Sequence, residues 1–264
     1  MSGAIGVFDS GVGGLSVLQH IQQTLPNEHL IYVADSGHVP YGDKSQSYIE
    51  HRSHTLTRFL ISQGADAIVI ACNTATAAAV ASLRNKFSLP IVGMEPAVKP
   101  AVAATNSKVV GVLATIGTLE SARFAALLER YGEEVEIVTQ GCPGLVELVE
   151  LGKLKDNRTR ELIERYTAPL LARGADTLIL GCTHYPFLAP LIREIVGEQI
   201  TLVDTGAAVA LQLQHRIQTE LPARSSNAIP ARFFTSGDTD QATRIMSLLW
   251  QHEVVAQKLP REYL

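Results

Sequence analysis

A twelve-residue pattern occurs twice in this chain and constrains the fold more than any other sequence feature. The first copy is Gly64 to Ala75 (GADAIVIACNTA) and the second is Gly174 to Tyr185 (GADTLILGCTHY), each residue 110 positions after its counterpart. Each copy opens with Gly-Ala-Asp, continues as an apolar run of strand length and ends in a cysteine followed by polar residues. This pattern is typical of a buried parallel strand that delivers side chains to its carboxyl edge. The repeat predicts two similar halves, each with one thiol in an equivalent place.

Apolar runs of strand length alternate with segments whose apolar residues have helical spacing. Alternation of this kind indicates βαβ units and parallel sheets covered by helices, so the predicted fold class is α/β. The predicted strands are residues 4–8, 29–34, 67–71, 90–93, 109–113, 135–138, 177–181, 200–203 and 231–235.

The repeat favours two pseudosymmetric α/β domains, each a mostly parallel sheet flanked by helices, with the active site in the cleft between them. Met94 to Pro100 contains two prolines and is predicted to carry the crossing into the second half. The last predicted strand has no counterpart in the repeat, so we expect the tail to return to the first half. The predicted domains are residues 1–97 plus 206–264, and residues 98–205.

Composition and charge argue against several classes of protein. Hydrophobic residues make up 46% and charged residues 18%, which is ordinary for a globular protein. The net charge is -4 and no run of basic residues is present, so nucleic acid is not expected as a primary partner. Met1 to Phe8 lacks a basic region and is interpreted as a first strand rather than a signal peptide. No apolar stretch approaches the roughly 20 residues of a membrane span, so we expect a cytoplasmic protein without membrane association.

The three cysteines are better explained as free thiols than as a disulfide framework or a metal site, because they are odd in number and include no C-x-x-C pair. Cys142 has no copy in the first half and is interpreted as structural. Cys72 and Cys182 are each predicted between a strand end and a helix start, where backbone amides favour an anion. One would then be charged and the other neutral, with Asp9 near Cys72 and His184 near Cys182. The alternative is that both are small buried residues at the ends of core strands.

The glycine-rich segment Asp9 to Gly14 follows the first predicted strand. It matches neither the dinucleotide fingerprint nor the phosphate-binding loop of nucleotide hydrolases. We expect its glycines to let backbone amides approach a small carboxylate, to form a tight strand-to-helix turn, or both.

Together these motifs resemble the cofactor-independent aspartate/glutamate racemases over nearly the whole chain. The resemblance implies a two-domain pseudosymmetric enzyme that interconverts L- and D-glutamate without a cofactor and supplies D-glutamate for bacterial peptidoglycan. The matching segments are Asp9 to Gly14, Pro40 to Lys44, Ala71 to Ala75, Ala114-Thr115 with Gly117-Thr118, Cys142-Pro143 and Gly181 to Pro186.

The resemblance also implies roles for individual residues. In the family, one cysteine removes the α-proton as a thiolate and the other, as a thiol, protonates the opposite face; these roles fall on Cys72 and Cys182. Asp9 and His184 would assist them, and Glu150 matches a family glutamate near the cleft. The implied substrate contacts are Asp9, Ser10, Tyr41, Gly42, Asn73, Thr74, Thr115, Thr118, Thr183 and His184.

Two other functions remain open from the sequence. One is a racemase of another acidic amino acid, such as aspartate, on the same scaffold. The other is a ligand-binding or regulatory protein without turnover, which the presence of both cysteines disfavours. Apolar positions on the exposed faces of the predicted helices favour a homodimer.

Overall fold

Two parallel β-sheets form the frame of the computed structural model, which describes residues 3–133, 135–222 and 229–264. The first sheet has the order β10-β9-β2-β1-β3-β4 and the second the order β6-β5-β7-β8. The first contains β1 (Ala4–Asp9), β2 (His29–Ala34), β3 (Ala65–Ile70), β4 (Ile91–Val92), β9 (Arg232–Thr235) and β10 (Ala256–Lys258). The second contains β5 (Val109–Ala114), β6 (Glu136–Gly141), β7 (Thr177–Leu180) and β8 (Thr201–Val203).

Helices connect the strands and cover the sheets. The α-helices are α1 (Leu15–Thr24), α2 (Gln46–Ser62), α3 (Asn73–Lys86), α4 (Val98–Ala104), α5 (Ile116–Leu119), α6 (Ala122–Tyr131), α7 (Leu145–Glu150), α8 (Asn157–Ala172), α9 (Ala189–Val196), α10 (Gly206–Glu220) and α11 (Thr239–Trp250). Short 3-10 turns lie at Tyr41–Asp43, Tyr185–Leu188 and Arg261–Tyr263.

The predicted α/β class is confirmed, and each of the nine predicted strands is found. All the described strand pairings are parallel. The strand predicted near the end of the chain, β9, pairs with β2 and therefore returns to the first sheet, as expected. The domain boundaries at residues 97/98 and 205/206 stay a prediction. Met1 and Ser2, at the start of the segment interpreted as a first strand, lie outside the described residues.

The sequence repeat is also a repeat of topology. Strands β2-β1-β3-β4 and β6-β5-β7-β8 have the same order, so β3 and β7, which precede the two thiols, are equivalent. The glycine that opens each copy has a positive φ, 91° at Gly64 and 87° at Gly174. Glycine adopts this left-handed conformation without steric cost, and each one turns the chain from a helix into a buried strand.

Apolar burial holds the sheets in place. All six residues of β1 and all four of β7 are buried. One apolar cluster contains side chains from both sheets, among them Val69 of β3 and Leu180 of β7. The two halves therefore share part of their core, which fixes the carboxyl ends of their strands close to each other.

Several predictions about partners and location are not settled by the fold. No helix within residues 3–133, 135–222 and 229–264 is long and apolar enough to cross a membrane. Leu151 and Leu248 are each 53% exposed, but the predicted homodimer stays a prediction. So do the cytoplasmic location and the expectation that nucleic acid is not a primary partner.

Candidate active site

A small closed cavity lies where the chain leaves the carboxyl ends of the strands in both sheets. Its free volume is about 10 Å³, room for about one water molecule. Residues from both halves of the chain line it: Ser10, Pro40, Tyr41, Gly42, Cys72, Asn73, Thr74, Thr115, Thr118, Val146, Gly181, Cys182, Thr183 and His184.

The predicted site residues come together around this cavity. Eleven of the thirteen line it directly, including both thiols. The other two, Asp9 and Glu150, contact lining residues from behind, because Asp9 accepts a hydrogen bond from Thr183 and Glu150 binds His184. Cys142 is buried but is not among the lining residues, and its thiol donates to the carbonyl oxygen of Gln140 at 3.3 Å.

Cys72 lies at the amino end of α3, as predicted. Its sulfur accepts a hydrogen bond from the Ala75 amide at 3.4 Å and donates to the Ser10 hydroxyl at 3.8 Å. Burial raises the pKa of the Cys72 thiol far above its ordinary value, the charge of Asp9 raises it further, and the Ala75 amide offsets this only in part. Cys72 is therefore a neutral thiol in the closed cavity.

Asp9 reaches Cys72 through Ser10 and makes no direct hydrogen bond to the sulfur. Asp9 Oδ1 accepts from the Ser10 hydroxyl at 3.0 Å, and Oδ2 accepts from the Thr183 hydroxyl of the other half at 3.0 Å. Burial raises the pKa of the Asp9 carboxyl, which the neighbouring His184 opposes in part. The Cys72 proton thus has a short path through one hydroxyl to a carboxyl group.

Cys182 has a different ionisable partner. His184 Nδ1 lies 3.6 Å from the Cys182 sulfur, and His184 Nε2 lies 2.7 Å from Glu150 Oε1. Burial lowers the pKa of His184, but the hydrogen bonds to Cys182 and Glu150 outweigh burial and raise it well above its ordinary value. His184 is therefore an imidazolium at neutral pH, and its positive charge stabilises negative charge on the adjacent sulfur.

The glycine-rich turn after β1 holds the Glu150 carboxylate. The Val12 amide donates to Glu150 Oε1 at 2.6 Å. A Cβ atom on Gly11 would lie 1.9 Å from Glu150 Oε1, and one on Gly13 would lie 2.2 Å from His184 Nδ1. The backbone amide of this turn thus approaches a carboxylate of the chain itself, and its predicted approach to a small carboxylate ligand stays a prediction. The tight strand-to-helix turn is found as well, since α1 begins at Leu15.

Neutral hydrogen-bonding side chains also line the cavity. Thr74 of the first half bonds Thr115 at 3.0 Å and Thr118 at 3.1 Å across the cleft. The Asn73 side chain is 5% exposed, and its oxygen and nitrogen have no hydrogen-bond partner in the described structure. A buried amide without partners is costly, so Asn73 is suited to a polar ligand.

Comparison with known proteins agrees with this geometry. Residues 5–213 match the family model described as Asp/Glu/Hydantoin racemase. The chain belongs to this family. The resemblance inferred from the motifs is confirmed, whereas the roles assigned to the two thiols stay a prediction.

Curated relatives of the racemase family cover almost the whole chain. The glutamate racemase of Ectopseudomonas mendocina is 61% identical over 247 residues, which are 93% of this chain and 94% of that protein. The glutamate racemase of Pseudomonas aeruginosa strain PAO1 is 56% identical over 250 residues, 94% of each.

Solved structures of the family have the same fold. Escherichia coli glutamate racemase in complex with L-glutamate and the activator UDP-MurNAc-Ala matches with a TM-score of 0.87 and 34% identity, covering 98% of each chain. Francisella tularensis glutamate racemase in complex with D-glutamate matches with a TM-score of 0.84 and 27% identity, also covering 98% of each chain.

Three residues that line this racemase-family cavity were not predicted as site residues: Pro40, Val146 and Gly181. Pro40 and Gly181 lie inside motifs used for the resemblance, next to residues that were predicted. Val146 precedes Glu150 by one turn of α7 and so lies on the same helix face. That spacing was the signal available for Val146. Within the described residues, no cluster of three His, Cys, Asp or Glu side chains is placed to hold a metal ion.

Proposed function

We propose that this chain is a glutamate racemase, which interconverts L- and D-glutamate by two-base proton transfer at the α-carbon. It would act in the cytoplasm and supply D-glutamate for peptidoglycan biosynthesis. The observation that carries the proposal is that Cys72 and Cys182 line one closed cavity, each linked to its own buried carboxyl group. The names of the curated relatives, and the L- and D-glutamate complexes of solved ones, support glutamate as the substrate.

A two-base reaction requires the two thiols to start in different protonation states. Cys182 beside the His184 imidazolium would act as a thiolate and remove the α-proton of one enantiomer. Cys72, held neutral by burial, would give its proton to the opposite face of the same carbon. Cys182 is then a thiol and Cys72 a thiolate, which is the starting state for the reverse direction. Ser10 gives Cys72 a path for proton exchange with Asp9.

Negative charge that develops at the α-carbon would be stabilised by neutral donors. Among the residues that the structure describes, none that lines the cavity is a lysine or arginine, so these residues offer no side-chain amine to form a Schiff base. The Asn73 amide and the hydroxyls of Thr74 and Thr183 are positioned at the cavity before substrate binds. Such preorganised groups stabilise developing charge most strongly when water is excluded.

Substrate entry requires the cavity to open. A free volume of about 10 Å³ is far too small for glutamate. The hydrogen bonds of Thr74 to Thr115 and Thr118 close the cleft between the halves. We propose that these bonds open when glutamate enters and that the threonine hydroxyls then bind the substrate.

The test is racemisation followed by circular dichroism without added pyridoxal phosphate and in the presence of a metal chelator. L-glutamate, D-glutamate, L-aspartate and D-aspartate are compared side by side, and α-deuterium incorporation is measured in heavy water. We expect turnover of both glutamate enantiomers with exchange of the α-proton. Turnover of aspartate alone would replace the substrate assignment, and binding without exchange would support a ligand-binding protein.

A further inference from the structure

A chain of buried hydrogen bonds lies behind one wall of the cavity. Tyr41 lines the cavity, and its hydroxyl donates to Asp35 Oδ2 at 2.6 Å. Arg52 of α2 donates from Nε to Asp35 Oδ2 at 3.0 Å and from one terminal nitrogen to Asp35 Oδ1 at 2.8 Å. The same terminal nitrogen donates to the Tyr263 carbonyl oxygen at 3.0 Å. Asp35 is 0%, Tyr41 1% and Arg52 4% exposed.

The charges of Asp35 and Arg52 within this set of hydrogen bonds cancel. Burial lowers the pKa of Arg52, but its hydrogen bonds to Asp35 outweigh burial and raise it, so the guanidinium stays charged. Burial and the Asp35 charge raise the pKa of Tyr41 well above its ordinary value, so its hydroxyl stays a donor. Arg52 thereby neutralises a carboxylate that contacts a cavity-lining side chain. Within the described part of the chain, the residues that line the cavity include no lysine or arginine to do so.

A contribution to the stability of the fold does not by itself explain why Asp35 and Arg52 form a buried ion pair. A buried ion pair is often no more stabilising than apolar side chains of the same size. Its place in the fold is informative instead. Asp35 follows β2, and its amide donates to the Asp9 carbonyl oxygen at 3.0 Å. The loop that begins at Asp35 leads to Gly42, which packs directly against the other half, since a Cβ on Gly117 would lie 3.0 Å from the Gly42 oxygen.

We propose that Arg52 is a positioning residue for the racemase reaction, an inference that rests on the proposed function. It neutralises Asp35 and so holds Tyr41 and Gly42 where they complete the cavity around an anionic substrate. Removing Arg52 alone leaves an unpaired buried carboxylate behind Tyr41. That carboxylate repels the carboxylates of glutamate and releases the loop, while both thiols keep their own partners.

The first test is Arg52→Gln, assayed with both enantiomers. We expect KM to rise by about tenfold or more, because loss of one partner of a buried charge pair is costly. We expect kcat to change by less than about threefold, because the groups that transfer protons are unchanged. A KM equal to that of the unaltered chain, or a loss confined to kcat, would overturn the proposal.

Two further variants separate charge from folding. The double variant Asp35→Asn with Arg52→Gln removes both charges together, so we expect its KM to return to within about threefold of the original value. Arg52→Lys keeps the charge with poorer geometry and should have a KM between those of arginine and glutamine. If the double variant or Arg52→Lys had a KM as high as that of Arg52→Gln, charge neutralisation would not be the role of Arg52.

Arg232→Gln is the matched arginine control. Arg232 lies on β9, donates to Gln63 at 3.1 Å and stacks 5.5 Å from the Phe234 ring centre, away from the cavity. Its loss should lower thermal stability and leave KM unchanged. A rise in KM equal to that of Arg52→Gln would show that the effect is general and would overturn the proposal.

A readout independent of turnover keeps this inference distinct from the proposed function. The NMR shift of the Tyr41 Cζ carbon reports its hydrogen bond to Asp35. We expect the shift to move in Arg52→Gln and to stay in place in Arg232→Gln. An unmoved shift would overturn the positioning link even in an active enzyme, whereas absence of glutamate turnover in the unaltered chain would contradict the proposed function.

Discussion

Nε2 of His184 lies 2.7 Å from Oε1 of Glu150, and both side chains are buried at the edge of the cavity. The Glu150 carboxylate keeps a positive charge on His184, and Nδ1 of the same ring faces the Cys182 sulfur. This hydrogen bond joins residues 34 positions apart in the sequence and connects α7 to the segment that follows β7. It makes the charge of the imidazole that contacts the Cys182 sulfur depend on a carboxylate that does not line the cavity.

Glu150→Gln should therefore shift the pH dependence of the reaction. In the unaltered chain the pKa of His184 is raised, so the imidazolium is present at neutral pH and is lost only as pH rises through that higher value. Without the carboxylate the pKa falls, and the high-pH limb of kcat/KM should move to lower pH. At neutral pH, kcat/KM of Glu150→Gln should be lower by about tenfold to a hundredfold, which is the effect of losing a hydrogen bond to a charged group. Ser36→Ala removes only a 3.2 Å bond to Glu150 Oε2 and should shift the limb less; an unmoved limb in Glu150→Gln would refute the coupling.

Cys72→Ala and Cys182→Ala should each abolish racemisation in both directions, because each removes the acid or base on one face of the α-carbon. Either variant is expected to retain slow α-proton exchange with a single enantiomer, measured by NMR in heavy water. Cys142→Ala is the matched thiol control, since Cys142 is buried outside the cavity lining, and it should still turn over. Full racemisation by either of the first two variants would exclude the two-base assignment.

Local sequence patterns predict much of the fold and of the site. The apolar runs before Cys72 and Cys182 predicted β3 and β7, and the polar residues after them predicted which side chains meet at the sheet edges. Among the strands of the described residues, β10 was not predicted. It has only three residues, two of which are exposed, so it carries no alternating or continuous apolar signal.

The finer connections of the site were not predictable, because they join distant parts of the chain. Val12 and Glu150 are 138 positions apart, and no local pattern assigns the carboxylate that the glycine-rich turn would hold. Placing Asp9 near Cys72 was right, but the intervening Ser10 hydroxyl depends on side-chain orientation. The Arg52 interaction with Asp35 was likewise not predicted, since an arginine within a helical segment is usually solvent-exposed.

Asn73→Ala should weaken substrate binding without weakening the fold. Both polar atoms of the Asn73 side chain are buried and unpaired in the described structure, so their removal relieves a cost of about 1–3 kcal/mol in the free protein. We expect KM for both enantiomers to rise while the melting temperature stays the same or increases. A fall of several degrees in melting temperature with unchanged KM would assign Asn73 a structural role instead.

Gly13→Ala should impair catalysis through His184. The added Cβ would lie 2.2 Å from His184 Nδ1, so the ring must move from the position in which it contacts the Cys182 sulfur. We expect kcat to fall by about a hundredfold or more, with the high-pH limb displaced in the same direction as in Glu150→Gln. Gly141→Ala is the control, since its nearest contact is the Ile116 side chain at 3.2 Å, and it should leave both quantities nearly unchanged. Equal kinetics for the two alanine variants would contradict the packing argument.

Asp176, the aspartate of the second repeat copy, is expected to have a structural rather than a catalytic role. It precedes β7, at the end of the strand opposite the cavity, and accepts hydrogen bonds from the Thr105 hydroxyl at 2.6 Å and the Ser107 amide at 2.7 Å. Burial raises its pKa, but these and neighbouring hydrogen bonds outweigh burial and lower it to about 2. Because the folded value is below the unfolded value of about 3.9, the stabilisation is complete above that value and is lost as pH falls toward about 2.

Asp176→Ala should therefore lower the free energy of unfolding by about 1–2 kcal/mol at neutral pH, measured by urea denaturation, while racemisation of the folded enzyme persists. The difference from the unaltered chain should shrink between about pH 4 and pH 2. Asp240→Ala, at an exposed position in the first turn of α11, is the control and should change stability by less than about 1 kcal/mol. A stability difference at Asp176 that is independent of pH would show that its charge is not the source of the stabilisation. Loss of activity in the folded variant would mean that the repeated Gly-Ala-Asp turn serves the reaction as well as the fold.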